Sequence, residues 1–214
     1  DLIQGCGRSG SLARAMLAVA MNDAPAPPVL VDWADLPDLS YPIEPLRTEW
    51  VFGYGSLIWD PGFEYSERHR VTIHGFHRAF CIRSVRYRGT VEAPGVVLGL
   101  DRGGSCQGVA FRVERALAHE VLAQLWQREM KLAVYDPRWL PCHTQQGPVR
   151  ALAFTLSRRS PSHTGELTAE QYRRIFAEAQ GIYGSTRDYA QSTYDALLRM
   201  GIRDRALARL LTFS

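Results

Sequence analysis

Between residues 49 and 156 the chain reads as a run of short strand-like pieces, punctuated by glycine and proline and broken by one helical stretch. Few folds accept that order. Short strands must pair before they are stable, and one helix between them must lie on the sheet they make. The pieces are residues 49–53, 70–74, 79–83, 95–100, 107–113, 138–143 and 149–156. The Gly75 turn joins the second and third as a pair. The stretch Arg102-Gly-Gly-Ser105 makes a hairpin of the next two, and Gln146-Gly-Pro148 a hairpin of the last two. The helix covers residues 116–133. Helices close the chain. Thr168-Ala-Glu-Gln171 is a capping box, followed by Tyr172, Ile175, Phe176 and Ala179 on one face, with Gly181 as the stop. Residues 187–200 form a second helix ended by Gly201, and residues 203–211 a short third. The expectation is an α+β fold: a mixed, barrel-like β-sheet with one internal helix and C-terminal helices.

Residues 1–48 have a different texture. Pro25, Pro27, Pro28, Pro37 and Pro42 make them an N-terminal extension or arm, separate from the unit at residues 49–214. Gly5-Cys-Gly7-Arg-Ser-Gly10 spells the glycine pattern of a dinucleotide site. That pattern works when a buried strand delivers its first glycine and βαβ units follow, and neither is evident here. The Ala-rich residues 13–21 faintly imitate a signal peptide. Arg14 interrupts them, and an amphipathic helix ending before Pro25 is the better reading.

Charge narrows the partners. With 25 basic against 22 acidic residues the formal net charge is +3, too even to argue for nucleic acid. Arg83-Ser-Val-Arg86-Tyr-Arg88 could meet a phosphate, but a strand or loop facing a small anion, or solvent, fits better. No apolar run approaches the ~20 residues of a membrane span. Cys6, Cys81, Cys106 and Cys142 are scattered, so they read as reduced thiols in a cytoplasmic protein. His69, His74 and His77 would not converge on a metal, and no acid or cysteine stands at ligand spacing. No metal or cofactor is expected. Oligomeric state is not legible.

The helix carries one anomaly. At about 100° per residue, Leu117, Val121, Leu122 and Leu125 share an apolar sector, and Glu129 continues the i, i+4 row of 117, 121 and 125. It therefore points toward the sheet, where an acid is costly unless paired or used. The bland reading has it escape at the helix end or pair with Arg128 or Lys131. The functional reading is a desolvated carboxylate with a raised pKa, able to take and return a proton near neutral pH.

A second feature is Val51-Phe-Gly53-Tyr-Gly55-Ser-Leu57-Ile-Trp-Asp60, a strand running into a glycine-flanked turn. Successive backbone N–H groups in such a turn can hold a carboxylate or a developing oxyanion. A Gly-x-Gly tripeptide is as often only a tight turn.

Together, VFGYGSLIWDP, GFHRAFCIRSVRYRGTVEAPGVVLGL, CQGVAFRV and LWQREMKLAVYDPRWLP, with the late glycine-rich residues 181–189, resemble the ChaC-like γ-glutamylcyclotransferases across about residues 50–200. The resemblance implies a γ-glutamylcyclotransferase-like catalytic domain at residues 49–214, with glutathione as substrate. The α-amine of the γ-glutamyl group attacks its own γ-carbonyl, releasing 5-oxoproline and Cys-Gly without a cofactor. By the same resemblance Glu129 is the general acid/base, and the Tyr54-Gly55-Ser56-Leu57 loop grips the substrate α-carboxylate. Tyr135 could donate a hydrogen bond to substrate or could be a core tyrosine. Arg83 or Arg88 could meet a substrate carboxylate, or be solvated. Tyr189 packs or touches ligand. Tyr87 stands where animal members tend to have His, and the wording after Glu129 looks closer to bacterial members. Other γ-glutamyl amides, or a non-catalytic regulatory relative, are the alternatives.

Overall fold

The computed structural model describes residues 49–130 and 134–213. The arm, its Gly5–Gly10 motif, the helix expected in it, Cys6 and Lys131 lie outside the described residues.

Five strands make one mixed sheet in the order β2-β3-β1-β5-β4. They are β1 (Trp50–Gly53), β2 (Glu67–Ser84), β3 (Gly95–Arg112), β4 (Tyr135–Thr144) and β5 (Gly147–Leu156). β1 runs antiparallel to β3 and parallel to β5, and the other neighbours are antiparallel. The edge strands β2 and β4 also approach each other, so the sheet curls into a barrel-like form.

β2 and β3 depart from the sequence expectation. The two pieces on either side of Gly75 are one 18-residue strand, not a pair, and so are the two around Arg102–Ser105. The strands bend together instead of turning back. His74 pairs with Ser105 and Phe76 with Arg102, so Gly75 alone faces Gly103 and Gly104. All three adopt positive φ, at 84°, 97° and 70°. This is a bulge: it leaves these glycines out of the ladder, interrupts the pairing locally and coils the sheet, while pairing resumes on both sides. A second slip falls between Phe80 and Ile82. The third expected pair is a true hairpin, β4 to β5, turned at Gly147 (φ 117°).

Helix α1 (Ala118–Glu129) lies between β3 and β4 in the chain. Its Ala118, Val121, Leu122 and Leu125 are buried against Val51, Leu57, Val113, Leu152 and Phe154. Leu117 is the cap residue and stays exposed, because the helix begins after it. Helix α2 (Ala169–Glu178) starts at the Thr168 capping box. It ends at Ala179 in extended backbone, so Gly181 is not its stop. Gly181 belongs to a small hairpin, β6 (Gln180–Gly181) with β7 (Gly184–Ser185). Helix α3 (Thr186–Arg199) has its own capping box, Ser185 with Asp188. Helix α4 (Arg205–Leu211) is capped by Asp204. Ala190, Ala196, Leu197, Ile202 and Leu207 complete the main core with Phe52, Ile73, Phe80, Leu98 and Phe111. Cys81, Cys106 and Cys142 are unpaired and buried. Among the described residues no helix is long and apolar enough to cross a membrane.

Candidate active site

β1 is buried on both sides and delivers the chain to the sheet's end at Gly53. Tyr54 and Gly55 follow, and Ser56–Ile58 close a single 3-10 turn. A Cβ at Gly55 would stand 2.8 Å from the Tyr189 hydroxyl, so a larger residue there would have to displace that phenol. The carbonyls of Gly55 and Ser56 are used by the turn, accepting from Ile58, Trp59 and Asp60. The N–H groups of Gly55, Ser56 and Leu57 donate to no group among the described residues.

This loop meets the end of α1 and the start of β4. Tyr54, Gly55, Ser56, Leu57, Leu98, Glu129, Tyr135, Phe154 and Tyr189 line one pocket. Glu129 is the last residue of α1, and its side chain is 15% exposed. Burial raises its pKa above the ordinary carboxylate value, and the neighbouring Arg128 guanidinium opposes that shift. The bland expectation is thus met in one part: Arg128 Nε lies 3.2 Å from Glu129 Oε1. The pair does not take the acid out of the pocket.

Arg128 does more than pair. It donates to the carbonyls of Asp60 (3.0 Å) and Pro61 (3.2 Å) and to Ser56 Oγ (3.3 Å). One guanidinium therefore ties the acid's helix to the loop across the pocket from it. Adjacency in the chain marks Arg128 as a partner for Glu129, but nothing in the order of residues shows that the loop folds back onto it.

Three phenols surround the carboxyl. Tyr54 Oη donates to the Phe154 carbonyl at 2.8 Å. Tyr135, the first residue of β4, packs edge-on against Phe154 and brings its hydroxyl to that of Tyr54. Tyr189 comes from α3 and packs against Trp59 and Phe80. Burial pushes the Tyr54 and Tyr135 pKa values well above the usual phenol value, and Tyr189 up to about 12, with the nearby Glu129 charge adding to each. All three stay protonated at neutral pH, as neutral donors. The alternatives left open for Tyr135 and Tyr189 merge here, since each is packed and each lines the pocket.

The two arginines stand apart. Arg83 belongs to β2, where its N–H donates to the Ser162 carbonyl at 2.7 Å. Arg88 sits 5.3 Å from the Tyr189 ring centroid and donates to the Tyr183 carbonyl. Neither lines the pocket. Leu98 and Phe154 do line it and were not singled out from sequence, because an apolar strand residue carries no mark of which end of the sheet it faces.

Free backbone donors thus stand beside a desolvated carboxyl able to shuttle a proton, around a cavity of about 20 Å³, room for one water-sized group. A family model described as "ChaC-like protein" matches residues 49–213. A glutathione-specific gamma-glutamylcyclotransferase of Escherichia coli K12 is 37% identical over 163 residues, 76% of this chain and 71% of that one. The human glutathione-specific gamma-glutamylcyclotransferase 1 is 30% identical over 169 residues, 76% of each chain. Among solved structures, a yeast gamma-glutamyl cyclotransferase specific to glutathione superposes with a TM-score of 0.68 at 24% identity. It covers 77% of this chain and 94% of the yeast one, and it shows that the fold is shared.

Proposed function

We infer the activity from one premise: this chain belongs to the ChaC-like family. It cleaves glutathione to 5-oxoproline and Cys-Gly. The observation that carries the reading is that Glu129 and the Tyr54–Leu57 loop line one pocket, with the carboxyl desolvated and the loop N–H groups unused.

The chemistry divides among these groups. The loop N–H groups hold the α-carboxylate of the γ-glutamyl unit. That fixes the adjacent α-amine close to its own γ-carbonyl, an orientation advantage that a free peptide lacks. Glu129, ionised, removes a proton from the ammonium so that the nitrogen carries a lone pair. A C–N bond forms to the γ-carbon and closes a five-membered lactam. The old amide C–N bond breaks and the ring nitrogen gives up its second proton; both protons lost by the attacking nitrogen end on the departing cysteinyl nitrogen by way of Glu129, so Cys-Gly leaves as its ammonium. Atoms balance without water, and general acid–base catalysis of this kind supplies roughly 10²–10⁴ in rate. Tyr135 and Tyr189 remain neutral donors at the pocket wall and orient the γ-glutamyl carbonyl or carboxylate. Arg88, one ring away behind Tyr189, is the better placed of the two arginines for the glycine carboxylate of a bound tripeptide. A cytoplasmic location belongs to the same reading; the buried, unpaired Cys81, Cys106 and Cys142 are in keeping with it. So does a catalytic unit confined to residues 49–214.

The purified protein is expected to release 5-oxoproline and Cys-Gly from glutathione and to leave γ-glutamyl-alanine intact. Product only from γ-glutamyl-alanine would keep the mechanism and move the substrate. Silence on both would favour a regulatory relative. Glu129→Gln is expected to bind glutathione with near-native affinity and to lose turnover by at least about two orders of magnitude. Near-native turnover in that variant would remove Glu129 from the mechanism.

A further inference from the structure

Behind the substrate loop lies a buried cation with no role in the chemistry above. Arg78 is carried by β2, and its side chain is only 5% exposed. Nε donates to the Tyr54 carbonyl at 2.6 Å and Nη2 to the Gln107 carbonyl at 2.6 Å. Nη1 donates to Asp204, the residue that also caps α4 by accepting from the Leu207 N–H at 2.9 Å. A buried charge is tolerated when it is paired and hydrogen-bonded; this guanidinium is paired with Asp204, and each of its three nitrogens donates a bond.

Its position is informative. The described residues contain no cis peptide bond, and in a trans peptide the C=O and the next N–H point in opposite directions. With the Tyr54 carbonyl turned toward Arg78, the Gly55 N–H is turned away from it. The linings agree. Arg78 and Asp204 line one groove, and Tyr54 and Gly55 line a separate pocket. Leu98 is the one described residue common to both.

We propose that Arg78 is a positioning residue: anchored by Asp204, it holds the Tyr54–Gly55 peptide so that the Gly55 N–H presents to the substrate carboxylate. The proposal rests on the reading of that loop as the carboxylate grip. A cation on the carbonyl also polarises the peptide and makes its N–H a stronger donor. The last helix of the chain thereby sets the geometry of a loop that precedes it by about 150 residues.

Removing the arginine outright would leave Asp204 without its counter-charge and put folding at risk, so the test uses Arg78→Lys. Lysine keeps the charge but not the fork that reaches three acceptors at once. Leu207→Ala is the comparison; it loosens the same helix from a buried apolar position and leaves the guanidinium's partners in place. Arg78→Lys is expected to raise KM for glutathione roughly tenfold, the loss of one charge-assisted contact. Its kcat should change less, and the acid limb of its pH profile should stay in place. The Gly55 and Ser56 amide resonances in a ¹H–¹⁵N spectrum should move. Leu207→Ala should lower Tm while KM and those two resonances stay. A native KM with unmoved resonances in Arg78→Lys would overturn the proposal. An equal rise of KM in Leu207→Ala would also overturn it, as general loosening. Should the wild-type protein not turn over glutathione, the activity reading falls by itself, and the two resonances alone decide the role of Arg78.

Discussion

At the scale of single residues the site turns on Glu129, and its burial makes a prediction apart from catalysis. Burial raises its folded pKa above the ordinary value of 4.5. Below the unfolded pKa the group is protonated in both states and costs the fold nothing. As pH rises through the folded pKa it must ionise in a desolvated place, and stability is lost. Glu129→Gln is therefore expected to raise Tm at neutral pH, with the gain fading as pH falls through the raised folded pKa and gone below about 4.5. Thermal melts across pH check this, and a variant less stable than wild type at pH 7 would contradict it. Arg128 pulls the other way. Arg128→Gln removes the cation that favours the ionised acid and the three contacts to Ser56, Asp60 and Pro61. The acid limb of its kcat/KM profile should move to higher pH, and KM should rise. An acid limb that stays put would mean that the pair does not tune the acid. Glu129 was legible in the sequence because helical period is a hard rule, and an acid in the row of Val121 and Leu125 breaks it. Arg78 was not legible. A lone arginine in a strand looks the same whether it meets solvent or a carbonyl brought to it by another part of the chain.

At the scale of elements, what could be read from sequence depended on whether the signal was local. The capping box at Thr168 and the turn at Gly147 are local, and both stand where the residue types place them. Gly75 and Gly103-Gly104 are local as well, yet they bend strands instead of reversing them. The difference lies in register: each set faces the other across the ladder, which no single segment reveals. The two capped helices separate stability from function. Thr168 caps α2, which holds no pocket residue, and Ser185 caps α3, which holds Tyr189. Replacing either cap by alanine should cost about 1 kcal/mol of stability, measured by urea denaturation. Thr168→Ala should leave kcat/KM unchanged. Ser185→Ala should lower it several-fold by letting Tyr189 drift from Gly55, where contact is already close. Equal kcat/KM in the two variants would mean that Tyr189 is held by its core packing alone.

At the scale of the whole molecule the pocket is a product of the complete fold. Its lining runs from Tyr54 through Leu98, Glu129, Tyr135 and Phe154 to Tyr189, so no fragment of the sheet or of the helices contains it. The core has the same reach. Ile202 and Leu207, each 2% exposed, belong to one cluster with Phe52, Ile73, Phe111 and Leu197. Asp204 between them neutralises the cation under the substrate loop. Cutting the chain after Met200 would expose that apolar surface and leave Arg78 buried without its carboxylate. Breaking a buried pair by removing one partner costs about 3–5 kcal/mol, and the lost side chains add to it. A domain with about 5–15 kcal/mol in hand does not survive both. The full chain should therefore unfold with coincident transitions by tryptophan fluorescence and far-UV circular dichroism. The protein ending at Met200 should show no cooperative transition, should bind a dye for exposed apolar surface, and should not turn over glutathione. A truncated protein that melts sharply and still releases Cys-Gly would show that the sheet and α1 hold the site without the C-terminal helix, and that the link from Asp204 to the loop is dispensable.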